Sequence, residues 1–233
     1  MERTKTLKEL LSAFEPYFDG GVWKTDNILA FQAVGRYLAE DVPGTDLKKG
    51  HRITAEDVGT LAANGTLMVT VWFKPYVTIL STGEELVTPF ETPGEGQTRD
   101  SNSMMLRALA EDTGAVVVGA DMIKEGKDAV NLAVRNFVDQ CDVLIVTTST
   151  LPGAEDDMLK LVDSIRKPGV IAYGSVSDDS GNIILAALKD DYCRCVGRMP
   201  ALIVCLPGKK ETVKQNYDDV VDYFIRKYYF HNL

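Results

Sequence analysis

The chain has 233 residues, 45% of them hydrophobic and 25% charged, with a formal net charge of −9. That composition is ordinary for a water-soluble globular protein, and the length leaves room for one large domain or a domain with an appendage. The acid excess, with no long basic run, excludes nucleic acid as a partner, because binding a phosphate backbone needs a Lys/Arg surface. No apolar run approaches the ~20 residues of a membrane helix, and Met1 to Leu11 lacks the apolar core of a signal peptide. The expectation is a cytoplasmic protein with no membrane partner. Cys141 and Cys205 sit in apolar segments and read as small core residues. Cys193-x-Cys195 is too tight a spacing for the usual zinc pair. His51 and His231, the only histidines, lie too far apart in sequence to suggest a His-based triad.

In chain order, residues 5–17 predict a short amphipathic helix with Leu7, Leu10, Leu11 and Phe14 on one stripe, broken by Gly20-Gly21. A stripe so early in the chain needs a surface to cover it, which suggests a homo-oligomer or the main domain of the same chain. Ile28 to Leu38 reads as a second helical or mixed segment, and Gly44 to Thr54 carries the turn residues of a small β-structure. Thr54 has the position of an N-cap with Asp57 three residues on, a capping-box variant opening a helix over 55–63 that stops at Asn64-Gly65.

From there the rhythm changes. Strand-like apolar runs recur at 69–73, 76–80, 115–118, 142–147, 170–173, 183–187 and 201–205, with helical periodicity at 102–113, 127–139, 156–166 and 211–229. Runs such as "DVLIVTT" are apolar at consecutive positions, as a strand covered on both faces should be. The alternation predicts a three-layer α/β/α domain around a mostly parallel sheet over residues 76–233, preceded by a small α+β segment over residues 1–75.

In such a sheet ligands bind beyond the carboxyl ends of the strands. Ser81, Thr82 and Gly83 stand at one such end, followed by Glu84 and Glu85. Asp100, Ser101 and Asn102 open the next helix, where free N–H groups attract anions. The run "TTSTLPGAEDD" (Thr147 to Asp157) ends another strand with Glu155, Asp156 and Asp157. Carboxylates beside an anion-binding surface suit a divalent cation such as Mg²⁺ between them. Acids at helix starts are also favoured by the dipole alone, by a few tenths of a kcal/mol.

The pair "VTILSTGEEL" and "GQTRDSNS" closely resembles the signature of the molybdopterin-binding domain in the MoeA and gephyrin E-domain family of molybdopterin molybdotransferases. "LKKGHRITAEDVGTLAANGTLMVTVWFKP" resembles the segment that precedes that domain, and "DQCDVLIVTTS" and "ALIVCLPGKKETV" resemble its later strands. The similarity covers roughly residues 44 to 225. The resemblance implies a ligand site for molybdopterin or its adenylate, with Mg²⁺. By position it implies catalytic roles for Glu85, Asp100 and Asp156. It implies ligand contacts at Ser81, Thr82, Gly83, Ser101, Asn102, Thr148, Ser149, Gly153, Pro207 and Gly208, and metal contacts at Glu85, Glu125, Asp156 and Asp157. It also implies molybdoenzymes or other cofactor-assembly proteins as partners.

The departures are specific. The family's Gly-Gly-Val-Ser-Val-Gly loop is here Thr148-Ser149-Thr150-Leu151-Pro152-Gly153, and Lys210 replaces the proline that follows Leu-Pro-Gly-Asn. The family's lid-domain motif Met-Asp-Gly-Tyr-Ala and its C-terminal β-domain have no counterpart in these residues. The expectation is a reduced relative that binds molybdopterin in cofactor biosynthesis with weakened molybdotransferase activity. The alternative is a carrier, sensor or partner module that keeps the fold without the chemistry. A generic Rossmann-like nucleotide binder is a weak third reading, because no Gly-x-Gly-x-x-Gly occurs.

Overall fold

Strands buried on both faces read as near-continuous apolar runs, and "YVTILST", "VLIVT" and "ALIVCL" become the centre of the main sheet. The computed structural model describes residues 2–3, 6–18, 25–124, 127–138, 140–148, 170–178, 181–188 and 201–230. In chain order the elements are β1 (Glu2–Arg3), α1 (Leu7–Phe18), β2 (Thr25–Leu29), α2 (Ala55–Ala63), β3 (Met68–Trp72), β4 (Tyr76–Thr82), β5 (Leu86–Val87) and β6 (Thr98–Arg99). They continue with α3 (Asn102–Thr113), β7 (Val116–Ile123), α4 (Lys127–Val138), β8 (Val143–Thr147), β9 (Val170–Asp178), β10 (Gly181–Leu188), β11 (Ala201–Leu206) and α5 (Lys210–Asn216). Two π-helical turns, Tyr217–Asp222 and Ile225–Tyr229, prolong α5. The helix expected at 156–166 lies outside the described residues.

The main sheet has seven strands in the order β1-β9-β10-β11-β8-β4-β7. It is mostly parallel; only β10 runs antiparallel to its neighbours β9 and β11. Alternation along the central strands supplies two cores. Val77, Ile79, Val143, Ile145, Val204 and Leu206 face α1, α3 and the C-terminal helix, whereas Leu80, Leu144, Val146, Ile203 and Cys205 face α4. The period-2 alternation of side chains in a strand thus produces the α/β/α layering.

α1 begins with a reciprocal capping box that the sequence pattern did not single out. The Glu9 N–H donates to Thr6 Oγ1 and the Thr6 N–H donates back to Glu9 Oε2. Its apolar stripe is covered by the chain itself: Leu10, Phe14 and Phe18 are buried in the core of the main sheet, with Leu7 and Leu11 packed against it. The stripe therefore gives no reason to expect a homo-oligomer. It also places α1 on the main sheet, although the sequence division grouped it with the small N-terminal segment. Glu15 fixes the packing by pairing with Lys227 and accepting from the Tyr223 hydroxyl at 2.9 Å. These hydrogen bonds hold the Glu15 carboxyl below its ordinary value. The contribution of the pair is therefore present above the unfolded carboxyl pKa and is lost as pH falls through the folded one.

Residues 25–72 form a small unit of their own, with the antiparallel pair β2–β3, α2, and a core of Leu38, Val42, Ile53, Leu61, Val69 and Val71. The box at Thr54 and Asp57 forms in both directions, and α2 ends at Asn64 with Gly65 at φ 74°. Of the two readings of 28–38, helical or mixed, the mixed one holds. Ile28 and Leu29 belong to β2, a single 3₁₀ turn covers Ala30–Gln32, and Gly35 turns the chain at φ 79°. Residues 44–54 are turns with one bridging position, Tyr37 opposite Arg52, in place of a small β-structure. The unit is seamed to the sheet by Tyr37, whose ring lies 4.4 Å from Phe230.

Candidate functional site

Four parallel strands end in register. Ser81 pairs with Thr147, Thr82 with Ile123, and Thr147 with Leu206, so β7, β4, β8 and β11 present their carboxyl ends along one edge. After β4 the chain crosses through α3 to β7 on one side. It then returns through α4 to β8 on the other side of β4. The order reverses between β4 and β8, and at such a switch point the two outgoing loops diverge and leave a crevice. A small cleft of ≈ 80 Å³ opens there, lined by Glu85, Leu86, Thr98, Arg99, Asp100, Ser101, Asn102, Thr147 and Thr148.

The short parallel pair β5–β6 builds one wall. Leu86 pairs with Thr98 and Val87 with Arg99, and the Thr98 and Asp100 N–H groups donate to the Glu85 and Val87 carbonyls at 2.8 and 2.9 Å. This brings Glu85 and Asp100 to the same cleft although they are fifteen positions apart in sequence. Asp100 is 5% exposed and its Oδ1 accepts from the Ser103 N–H at 3.0 Å, so it caps α3 while lining the cleft. The Asn102 amide donates to the Gly208 carbonyl at 2.9 Å, which ties the start of α3 to the turn after β11. Asn102 Oδ1 is buried and has no hydrogen-bond partner among the described residues.

The Ser81 and Thr82 hydroxyls do other work. Thr147 Oγ1 donates to Ser81 Oγ at 3.3 Å, and Thr82 Oγ1 donates to the Thr147 carbonyl at 3.1 Å. They stitch β4 to β8 beneath the cleft and do not line it. Gly83 leaves room for Glu85, since a Cβ there would stand 2.6 Å from Glu85 Oε2 and push that side-chain tip aside. Pro207 is buried. Thr147, Thr98, Leu86 and Arg99 line the cleft without having been expected as ligand contacts. The signal for Thr147 was its place as the last residue of an apolar run. Glu125, Ser149, Gly153, Asp156 and Asp157 lie outside the described residues.

Among the described residues no group of three His, Cys, Asp or Glu side chains converges as a metal site. Mg²⁺ does not require one, since it keeps several waters and binds through one or two carboxylates plus ligand phosphates. Glu85 and Asp100, both on the cleft, fit that donor set. Among the described residues no helix is long and apolar enough to cross a membrane.

Comparison with known proteins bears on the same region. The sequence profile of a family described as "Probable molybdopterin binding domain" matches residues 78–227, and a profile described as a domain of unknown function matches 28–73. The chain is 28% identical to a molybdopterin molybdenumtransferase of Staphylococcus aureus (strain Mu50) over 144 residues, covering 62% of this chain and 34% of that one. It has the same identity and coverage with the enzyme of that name from Staphylococcus epidermidis. The chain thus spans about a third of the length of these curated relatives. Among solved structures, a molybdopterin biosynthesis MoeA protein of Pyrococcus horikoshii superposes with a TM-score of 0.78 at 14% identity, over 100% of this chain and 81% of that one. A molybdenum cofactor biosynthesis protein of Pyrococcus furiosus gives 0.60 at 18%, over 98% and 72%. These two establish the shared fold.

Proposed function

The chain belongs to the family of molybdopterin binding domains, and on that premise we propose that the cleft between β4 and β8 binds molybdopterin or its adenylate in cofactor assembly. The observation that carries the reading is Asn102. Its amide N–H is spent on Gly208 and its buried Oδ1 is left without a donor, at the rim of a cleft at the switch point of the sheet. A pterin ring carries N–H donors suited to that acceptor, and leaving a buried acceptor unmet costs about 1–3 kcal/mol. Asp100, Ser101 and Asn102 put the N-terminal end of α3 on the same cleft, where the helix dipole favours a phosphate.

Glu85 and Asp100 would hold Mg²⁺ against the ligand's phosphate, with Asp156, Asp157 and Glu125 as further donors. The bound ion would supply charge neutralisation between oxyanions. Ser101 and Thr148 would contact the ligand. Ser81, Thr82 and Gly83 act from below by fixing where Glu85 stands. The compartment is the cytoplasm, and the partners are molybdoenzymes or other assembly proteins.

The test is mass spectrometry of ligand that co-purifies from a host making molybdopterin. Wild type should retain the pterin and Asn102→Ala should lose at least tenfold of it. A wild type with no pterin, or a variant that retains as much, would sink the assignment. Gly83→Ala is a sharper probe of Glu85. The new methyl displaces only the tip of a flexible side chain, so stability should change by less than ~1 kcal/mol. Ligand affinity, read by calorimetry with Mg²⁺ present, should fall to the level of Glu85→Gln. Unchanged affinity would mean that the carboxylate plays no part in binding.

A further inference from the structure

At the opposite end of β4, where the 25–72 unit meets the sheet, positive charge collects around the end of β3. The Arg36 guanidinium reaches across to donate Nη2 to the Trp72 carbonyl at 2.9 Å, and the Trp72 N–H donates to the Tyr37 carbonyl at 2.9 Å. Arg52 pairs with Tyr37 across an isolated bridge, and the Ile53 N–H donates to the Arg36 carbonyl. Lys74 follows Trp72 by two residues, and the Lys49 ammonium stands 5.4 Å from the centre of the Trp72 ring.

The chain carries 34 acids against 25 Lys and Arg, yet Arg52 and Lys74 make no ion pair with any described residue. Asp26 is the acid that acts on Arg36, through space. The Arg36 Nε–H is buried and has no acceptor among the described residues. Lys74 is held below its ordinary pKa by burial and by the like charges of Arg36 and Arg52. Arg36 and Lys74 are partly desolvated, Arg52 adds a like charge at the exposed side, and an anion beside them reverses the sign of that repulsion.

We propose that Arg36, Arg52 and Lys74 form a second ligand site, for an oxyanion of the phosphate type, at the seam between the small unit and the amino edge of the sheet. Its donors suit phosphate: one guanidinium already oriented by a backbone carbonyl, a second guanidinium, and an ammonium. The site is separate from the cleft, because the seven residues of β4 put roughly 20 Å between them at about 3.3 Å per residue.

The probe is inorganic phosphate, titrated into the full chain at constant ionic strength set with chloride, so that general screening is held fixed. Calorimetry and thermal melting should both show saturable binding. Lys74→Gln and Arg52→Gln should each weaken it by roughly tenfold or more, the size expected for one charge-assisted hydrogen bond. Arg52 is exposed and Lys74 only half-buried, so these variants should fold even if Arg36→Gln does not, and circular dichroism checks this. Lys8→Gln, on α1, should bind phosphate as wild type does. Binding that never saturates, that is equal in the two seam variants and wild type, or that acetate reproduces at the same concentration would overturn the proposal. An Asn102→Ala chain should bind phosphate at the seam unchanged, which separates this site from the pterin assignment.

Discussion

Phe224→Ala is expected to lower the thermal midpoint by about 6–20 °C. Phe224 is 1% exposed, and its ring lies 5.3 Å from Phe18 and 5.2 Å from Tyr228. Truncating a buried Phe costs about 3–5 kcal/mol through forfeited transfer energy and the cavity left behind. The aromatic pairs raise the figure rather than lower it, at about 0.5–1.5 kcal/mol each. For a chain of this length each kcal/mol moves the midpoint by roughly 2–4 °C. That is a large fraction of the ~5–15 kcal/mol that holds a protein folded. The damage should also reach the cleft, because the C-terminal helix grows out of the Pro207-Gly208 turn that Asn102 holds. Circular dichroism melts read the result, and a loss under ~1.5 kcal/mol would mean that α1 and the C-terminal helix are not joined through this cluster.

The same residues show what the sequence could and could not reveal. Thr54 and Asp57 are three apart, so their mutual capping is a local event and was readable. The central strands were readable because burial on both faces leaves an unbroken apolar run. The 28–38 segment could be read no further than helical or mixed, because buried Ala30, Ala33 and Leu38 alternate with Phe31, 64% exposed, and Val34, 49% exposed. The π-helical turns after α5 escaped detection because Tyr217, Val220, Val221, Phe224 and Ile225 fit a helical period whichever ladder the backbone adopts. At the cleft, Asp100 was legible as an acid before a helix. The hydrogen bond from Asn102 to Gly208 joins residues 106 apart and has no local signature. The stitching role of Ser81 and Thr82 depends on which strand lies beside β4. Only the strand order gives that.

The last expectation concerns catalysis. Supplied with adenylylated molybdopterin, molybdate and Mg²⁺, the chain should form cofactor at least a hundredfold more slowly than the Staphylococcus aureus molybdenumtransferase to which it is similar. Molybdate insertion needs a dithiolene held still and an oxyanion whose charge is neutralised nearby. Glu85 and Asp100 can serve the charged side of that arrangement. The stretch of sequence after β8 is the weak part. Where the resembled family has glycines that let backbone approach the ligand, this chain has Thr148-Ser149-Thr150-Leu151-Pro152-Gly153. Leu151 adds bulk, and Pro152 removes an N–H donor outright. Removing one charge-assisted hydrogen bond costs about 1.5–3 kcal/mol, or roughly ten- to a hundredfold at 1.4 kcal/mol per decade, so removing two already accounts for the expected drop. Binding itself should survive better than turnover, because Asn102 is held by Gly208. The assay therefore runs beside Glu85→Gln. Cofactor formation at the relative's rate that vanishes in Glu85→Gln would refute the expectation and make this chain a working transferase. A rate near background in both, with pterin still bound to the wild type, is what a binding module stripped of most of the chemistry should give.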